Sequence, residues 1–182
     1  ASDRLGGKIV TRTFGDGGPM YEEGVAEIYD YSMIGPDPLR ELIEGFQLAT
    51  TPMDSDALCI DGRIVDGVAD MRKVYGNKTA DAILAFRKTL AQKMTPQQYY
   101  EGVGKHDNDH DWAWENCEDL LDEEIDDPLA KKFFKVMARS DLACDAPQTN
   151  GLNALKNFLM DLDGYIGVYS INGGNERLID NL

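Results

Sequence analysis

The chain has 182 residues, of which 42% are hydrophobic, so it is long enough to bury a core. Its formal net charge of −15 repels phosphate backbones and argues against a nucleic-acid partner. The sequence contains no run of roughly 20 apolar residues, so it predicts no membrane span. The three cysteines, Cys59, Cys117 and Cys144, are too far apart for a disulfide framework or a zinc site, and we expect reduced thiols in a cytoplasmic protein.

The first third of the chain is predicted to form short strands and one helix. Residues 8–14 alternate and are rich in β-branched side chains, which is typical of a strand. The glycines and proline of residues 15–19 indicate a turn, and a second strand is expected near Tyr21. Apolar residues at helical spacing then predict a helix over residues 39–48.

The middle of the chain is predicted to be a β-hairpin followed by helices. Asp61-Gly62 lies between two apolar runs and supplies the positive φ values that a type I′ turn requires. Residues 165–171 predict a further strand, and residues 176–179 predict the start of a last helix. Between the hairpin and residue 165, helices are expected to begin at an N-cap of Thr79, at Thr95-Pro96, at Asp127-Pro128, and at Asn150 or Gly151.

The chain opens with two adjacent glycines beside basic residues. Residues 3–9 read Asp-Arg-Leu-Gly-Gly-Lys-Ile, and paired glycines let a backbone approach a ligand closely. Arg4 and Lys8 carry charges that could neutralise a pyrophosphate. Taken alone, the same residues also fit a plain turn before a strand.

Two further glycine motifs follow, over residues 18–28 and residues 164–178, the latter containing Gly173-Gly174. The order and spacing of the three motifs resemble the flavin-containing amine oxidases and their relatives, the phytoene desaturases and protoporphyrinogen oxidases. The resemblance covers both ends of the chain, and the middle fits the family only in being helical. It implies FAD as cofactor and a reaction that moves a hydride from a C–N or C–C bond of a small-molecule substrate to the flavin.

The resemblance also implies which residues contact FAD, although it assigns no catalytic residue and no metal ligand. The start of the chain is expected near the adenosine ribose and along the cofactor, and the second motif is expected near the isoalloxazine ring. Lys8 and Val25 depart from the family pattern, which more often has Arg and Gly there. The expected cofactor contacts are Ala1, Ser2, Arg4, Gly6, Gly7, Lys8, Ile9, Gly24, Val25, Ala26 and Glu27.

The predicted fold class is α+β, with partial Rossmann-like FAD-binding segments at both chain ends. Residues 1–35 and 164–182 are assigned to the FAD-binding domain, and residues 36–163 to a mainly helical substrate-binding domain with a β-hairpin. The family's Gly-x-Gly-x-x-Gly and its C-terminal flavin motif are missing from the sequence. We therefore expect an internal fragment whose partner is the remainder of the FAD-binding domain, and which alone is inactive and does not hold FAD tightly.

Two other functions stay open. A desaturase or dehydrogenase of an apolar substrate would belong to the same superfamily. The acids of residues 107–127, a span without Lys or Arg, could instead form a non-catalytic acidic helical interaction module, although a solvated helix face is the simpler interpretation.

Two side-chain clusters also invite a functional interpretation. His106 and His110 could share a metal on a helix, but a polar loop is favoured and no metal site is predicted. Tyr99-Tyr100 and the segment Trp112-Ala113-Trp114 could line a substrate cavity, but aromatic residues beside helices more often belong to the core.

Overall fold

A computed structural model describes residues 4–53, 57–101, 112–160, 162 and 164–182. The strands are β1 (Thr11–Thr13), β2 (Met20–Glu22), β3 (Ile28–Asp30), β4 (Thr50–Pro52), β5 (Ala57–Ile60), β6 (Arg63–Asp66) and β7 (Gly167–Ile171). The helices are α1 (Pro38–Gly45), α2 (Gly67–Tyr75), α3 (Asn77–Lys93), α4 (Pro96–Glu101), α5 (Cys117–Glu124), α6 (Pro128–Leu142), α7 (Gly151–Leu159) and α8 (Glu176–Asp180), with a 3-10 helix at Ala146–Gln148.

The fold is a mixture of helices and short antiparallel strands, which confirms the predicted α+β class at that level. The interpretation of its ends as FAD-binding segments stays a prediction. No helix within the described residues is long and apolar enough to cross a membrane.

The chain divides into two compact units, of which the first consists of Ala1–Asp54 and Ile166–Leu182 and the second of Ser55–Tyr165. Residues 36–54 therefore belong to the same unit as the chain ends, whereas the sequence-based boundary lay at residue 35. The assignment of the two units to cofactor and substrate binding stays a prediction.

The first unit is built around β7, which pairs antiparallel with β3 on one side and β4 on the other. The register places Ile28 opposite Tyr169 and Thr50 opposite Ile171. Strands β1 and β2 form a separate antiparallel pair. Apolar side chains from β3, β7, α1, the turn after α1 and α8 make a small core of Ile28, Ile43, Leu48, Tyr169, Ile171 and Leu178.

The second unit begins with the predicted hairpin. Asp61 and Gly62 both have positive φ, 51° and 74°, and Ile60 pairs with Arg63 across the turn, as a two-residue type I′ loop requires. Helices α2 to α7 follow and enclose a larger core. Its centre is an aromatic cluster in which the ring of Phe134 lies 4.7 Å from that of Phe86 and 5.0 Å from that of Phe158.

Helix starts agree with the sequence at three positions and differ at one. Asp127 and Asn150 are N-caps, and α4 begins at Pro96, as predicted. Thr79 is not an N-cap, and that prediction is wrong. Helix α3 begins at Asn77 because Gly76, with a φ of 94°, interrupts the helical backbone between α2 and α3. Thr79 is instead buried, and its hydroxyl donates to Asp127 Oδ1 at 3.2 Å.

Acids of the span 107–127 that the structure describes lie on and beside α5. Asp119, Asp122 and Glu123 are exposed, as expected for a solvated face. Some of the acids on α5 are also paired with lysines from other helices, which the charge count along the span does not show. These ion pairs are Lys131 with Asp122, Lys135 with Glu118, and Lys93 with Glu124.

The aromatic residues singled out in the sequence divide between core and surface. Trp112 is fully buried, and the ring of Tyr99 packs edge-on at 5.8 Å from that of Tyr165. Tyr100 and Trp114 are exposed, at 54% and 88%. The core interpretation is therefore right for one member of each pair.

Candidate functional site

The first motif folds into a tight loop whose shape depends on two glycines. Gly6 and Gly7 have positive φ values of 91° and 55°, a region that residues with side chains rarely adopt. The N–H of Ile9 donates to the carbonyl of Gly6 at 2.9 Å. The guanidinium of Arg4 donates to the carbonyls of Gly7 and Ile9, both at 2.6 Å. Arg4 therefore closes the loop from within, so its guanidinium is engaged with the protein.

Arg4 also joins the first motif to the third. Its Nη2 lies 3.0 Å from Glu176 Oε1, and the other oxygen of Glu176 accepts from the Thr11 N–H at 3.1 Å. The Thr11 hydroxyl in turn accepts from the Glu176 N–H at 3.1 Å. The hydrogen bond from Arg4, followed by that from Thr11, lowers the pKa of Glu176 below its ordinary value.

The second motif lies against the first through backbone hydrogen bonds. The N–H of Glu23 donates to the carbonyl of Val10 at 2.8 Å, and that of Val25 donates to the carbonyl of Lys8 at 3.0 Å. A Cβ on Gly24 would lie 1.7 Å from the Lys8 oxygen. Only glycine allows this approach, because any side chain there would collide with backbone.

The third motif holds the second through a buried asparagine. Asn175 is 1% exposed, and its Nδ2 donates to the carbonyls of Val25 at 3.0 Å and Ala26 at 3.1 Å. Its Oδ1 accepts from the Ile171 N–H at 2.9 Å, and its own N–H donates to Glu22 at 2.8 Å. All three motifs therefore meet in one cluster of the first unit.

An apolar cavity of about 290 Å³ lies beside this cluster. It has the size and character of a small-molecule site, which is typically apolar with a few polar groups. Two carboxylates, of Glu27 and Asp37, line it, but Asp37 is engaged as the N-cap of α1. The other lining residues are Ile9, Val25, Ile28, Tyr29, Tyr31, Leu39, Asn175 and Leu178.

The residues present fit part of an FAD molecule. No atom lies within 4 Å of the point where a Cβ of Gly7 would be, so the backbone is open to a ligand there. Lys8 is exposed beside it and offers a positive charge. Gly24, Val25, Ala26 and Glu27 are four consecutive exposed residues, of which Val25 and Glu27 line the apolar cavity, and this suits an apolar ring system.

Some of these residues could be predicted from the sequence, and others could not. Ala1 and Ser2 lie outside the described residues. The rest of the predicted cofactor contacts lie in the first unit as two neighbouring strips, residues 4–9 and 24–27, and their contact with FAD stays a prediction. The residues that join the strips, Thr11, Glu22, Asn175 and Glu176, were missed. The signal for the last two was present, because two polar residues directly follow Gly173-Gly174.

The predicted alternatives for metal binding lie largely outside what the structure describes. His106 and His110 belong to the span 102–111, which is not described. Elsewhere in the described part of the chain, no three His, Cys, Asp or Glu side chains come together as a metal site would require. Cys59, Cys117 and Cys144 are free, and burial raises the pKa of the Cys117 thiol to about 12.

No family model matches the sequence, and no curated protein matches it. Solved structures do match the fold. Wild-type putrescine oxidase bound to putrescine superposes with a TM-score of 0.64 over 98% of this chain, at 17% sequence identity. Cyclohexylamine oxidase from Brevibacterium oxydans IH-35A superposes with a TM-score of 0.61 over 100% of the chain, at 16% identity.

The chain spans 41% of the length of each of these two oxidases. At such low identity the similarity concerns the fold, and it confirms at that level the resemblance found in the three motifs. The chain therefore has the fold of the corresponding part of putrescine oxidase and cyclohexylamine oxidase.

Proposed function

We propose that this chain is part of an FAD-dependent oxidoreductase of the amine oxidase type. The observation that carries the proposal is the meeting of three glycine motifs in one cluster, whose hydrogen bonds join residues up to 172 positions apart. The flavin, when bound, accepts the hydride removed from the substrate. The first unit forms part of the flavin site, and the helical second unit forms part of the substrate domain.

Each strip of the first unit has its own task in this proposal. The Gly6-Gly7 loop brings its backbone close to the cofactor, and Lys8 offers charge to its phosphates. Arg4 shapes the loop instead of binding phosphate, since its guanidinium already bonds two carbonyls and Glu176. The strip from Gly24 to Glu27 lies against the ring system.

An amine is the substrate class that the cavity favours over an apolar polyene. Glu27 lines the cavity and is exposed, so it can place a negative charge where a cationic amine would approach. An uncharged apolar substrate would remove water from this carboxylate on binding without offering it a partner, which is costly.

The test is flavin content in the natural polypeptide that contains this chain, whatever its length. We expect it to purify with the visible absorbance of oxidised flavin, which an amine should bleach under anaerobic conditions. Residues 1–182 alone are expected to bind FAD weakly, because they lack the Gly-x-Gly-x-x-Gly turn at a helix N-terminus that holds a pyrophosphate. A folded natural polypeptide without flavin would overturn the proposal.

A matched pair of variants locates the site. Gly7→Ala and Gly15→Ala place a methyl group on exposed glycines with nearly equal φ, 55° and 60°, and neither methyl meets another atom within 4 Å. The backbone strain is therefore similar in both. We expect Gly7→Ala to weaken FAD binding by about tenfold or more, and Gly15→Ala to leave it unchanged. Equal affinities in the two variants would place the cofactor elsewhere.

A further inference from the structure

Asn175 stands at the junction of the third motif and α8, and every polar atom of its side chain is engaged. An asparagine amide has two N–H donors and one acceptor oxygen. Both donors are used on successive carbonyls, those of Val25 and Ala26, and the oxygen accepts from Ile171. A side chain that is 1% exposed and fully hydrogen-bonded is fixed in one orientation.

The segment held by Asn175 lies outside the strands on either side of it. Val25 and Ala26 fall between β2 and β3, where no ladder fixes the backbone. A third hydrogen bond, from the Val25 N–H to the carbonyl of Lys8, holds the peptide group that links Gly24 to Val25. Three consecutive peptide groups are thus hydrogen-bonded to other parts of the first unit, while the Val25 side chain, 37% exposed, lines the cavity.

Glu22 fixes Asn175 in turn. Its carboxylate accepts from the Asn175 N–H at 2.8 Å and from the Thr11 hydroxyl at 2.9 Å. A hydrogen bond to an ionised acceptor is stronger than one between neutral groups. Asp at position 175 would lack the two donors, and Gln would add a methylene to a closely packed site, so the geometry specifically requires Asn.

We propose that Asn175 is the positioning residue for the strip from Gly24 to Glu27, the surface that the proposed function places against the flavin. It acts through the carbonyls of Val25 and Ala26 and does not itself have to touch the cofactor. Its meaning for FAD rests on the proposed function. The positioning itself can be tested on the chain without any cofactor.

The test measures hydrogen exchange at the Val25 amide by NMR in residues 1–182. Asn175→Asp keeps the acceptor for Ile171 but replaces both donors by a charge that repels the two carbonyls. We expect Val25 to exchange about tenfold faster or more, because the two peptide groups after it then lose their hydrogen bonds to Asn175 and only the bond from its own N–H to Lys8 remains. The amide of Met53, which donates to Val168 in the same unit, serves as the internal reference and should be unchanged.

Asn172→Asp is the matched control, since it makes the same chemical change three residues earlier. The Asn172 side chain is exposed, and its Oδ1 accepts from the Thr51 hydroxyl, a bond that Asp can keep. Val25 should exchange at the wild-type rate in this variant. Equal Val25 exchange in the two variants would overturn the proposal.

A second measurement uses the wild-type chain, so it tests the proposal even if the Asn175→Asp variant does not fold. In the wild-type chain the side-chain NH₂ of Asn175 should exchange slowly and should show nuclear Overhauser contacts to Val25 and Ala26. A rapidly exchanging NH₂ would overturn the proposal even if Asn175→Asp loosened the whole unit.

FAD affinity of the natural polypeptide separates this inference from the proposed function. If the wild type holds no flavin, the proposed function fails, and Val25 exchange alone decides the positioning role. If it holds flavin, Asn175→Asp should weaken FAD binding by about tenfold and Asn172→Asp should not. Unchanged FAD affinity in Asn175→Asp, with faster Val25 exchange, would overturn the link between the strip and the cofactor and leave the proposed function standing.

Discussion

Glycines in the first unit are required for two different physical reasons. Gly7 has positive φ and open space around the position of a Cβ, so its requirement is conformational. For Gly24 the requirement is steric, because a Cβ would collide with the Lys8 carbonyl. Gly174 combines both, with a φ of 102° and a Cβ position 2.4 Å from the Thr11 side chain. Substitutions at these positions should therefore have different consequences.

We expect Gly24→Ala to lower the free energy of unfolding of the first unit by about 1–3 kcal/mol. The added methyl must displace the Lys8 backbone, which also breaks the hydrogen bond from Val25. The measurement is urea unfolding, monitored through hydrogen exchange at the Met53 amide. Gly45→Ala is the control, since its methyl meets no atom within 4 Å and replaces a helical glycine, so it should be neutral or slightly stabilising. Equal effects of both substitutions would contradict the steric explanation.

The lowered pKa of Glu176 makes the first unit sensitive to acid. Its carboxylate is stabilised in the folded state by Arg4 and by the Thr11 N–H. The stability that this adds is present above the unfolded-state pKa, near 4.5, and is lost as the pH falls through the lower folded-state value.

We expect the urea midpoint of the first unit to fall with pH below about 4.5, and to fall less in Glu176→Gln. Glutamine cannot ionise, so the variant loses this contribution at neutral pH and has none left to lose in acid. Glu44→Gln removes an exposed ion pair with Arg40 and should keep the wild-type pH dependence. Parallel pH profiles for wild type and Glu176→Gln would show that Arg4 and Thr11 do not stabilise the carboxylate.

At the scale of elements, two helices begin with the same Asp-Pro pair. Asp37 caps α1 by accepting from the N–H groups of Leu39 and Arg40, and its Oδ2 accepts from the Tyr31 N–H in the loop before the helix at 2.9 Å. Asp127 caps α6 in the same way, and it additionally accepts from the buried Thr79 hydroxyl of α3. The second cap therefore connects two helices of the core, and its loss should cost more than that of an isolated cap.

Asp127→Ala is expected to lower the free energy of unfolding of the second unit by about 2 kcal/mol or more. The substitution leaves two helix N–H groups and the Thr79 hydroxyl without an acceptor. Asp127→Asn keeps the acceptor oxygen and is an equally good N-cap, so it should cost far less. Urea unfolding followed by helical circular dichroism measures both. If Asn is as damaging as Ala, the charge and not the cap is what matters.

Elements set by neighbouring residues could be predicted from the sequence, and those set by distant ones could not. The Asp61-Gly62 turn and the cap at Asp127 depend on local φ preferences and adjacent donors, and both were found. Thr79 was misread because Gly76 sets an earlier helix start, at Asn77, and because the Thr79 hydroxyl bonds a residue 48 positions away. Strands β3 and β4 have three residues each and exist through pairing with β7, so no local periodicity reveals them.

The candidate site shows the same division. The glycine motifs were visible because positive φ and close approach restrict residue type directly. The hydrogen bonds of Asn175 with Val25 and of Glu176 with Arg4 were not predicted, because Val25 and Arg4 lie at the other end of the chain. The family resemblance assigned both chain ends to one FAD-binding domain, but the atoms that join the motifs could be identified only from the structure.

At the scale of the whole molecule, the two units differ in how well they bury apolar surface. The core of the second unit includes large side chains that are almost completely buried, such as Trp112, Phe133 and Phe134. The first unit has the smaller core and exposes several large apolar residues. Those exposed by more than half are Leu5 at 83%, Phe14 at 62%, Met20 at 55%, Met33 at 59% and Leu182 at 76%. Because burial of apolar area is the main stabilising contribution, the first unit should be the less stable of the two.

We therefore expect two unfolding transitions in urea, with the first unit unfolding at the lower concentration. Both tryptophans, Trp112 and Trp114, belong to the second unit, so fluorescence reports on that unit alone. Trp114→Phe removes the exposed reporter and leaves the buried Trp112, and it should not change the midpoint. Loss of protection at the Met53 amide should precede the fluorescence change. Coincident midpoints for Met53 and Trp112 would mean that the units unfold as one cooperative body, and the difference in apolar burial would then not determine their stability.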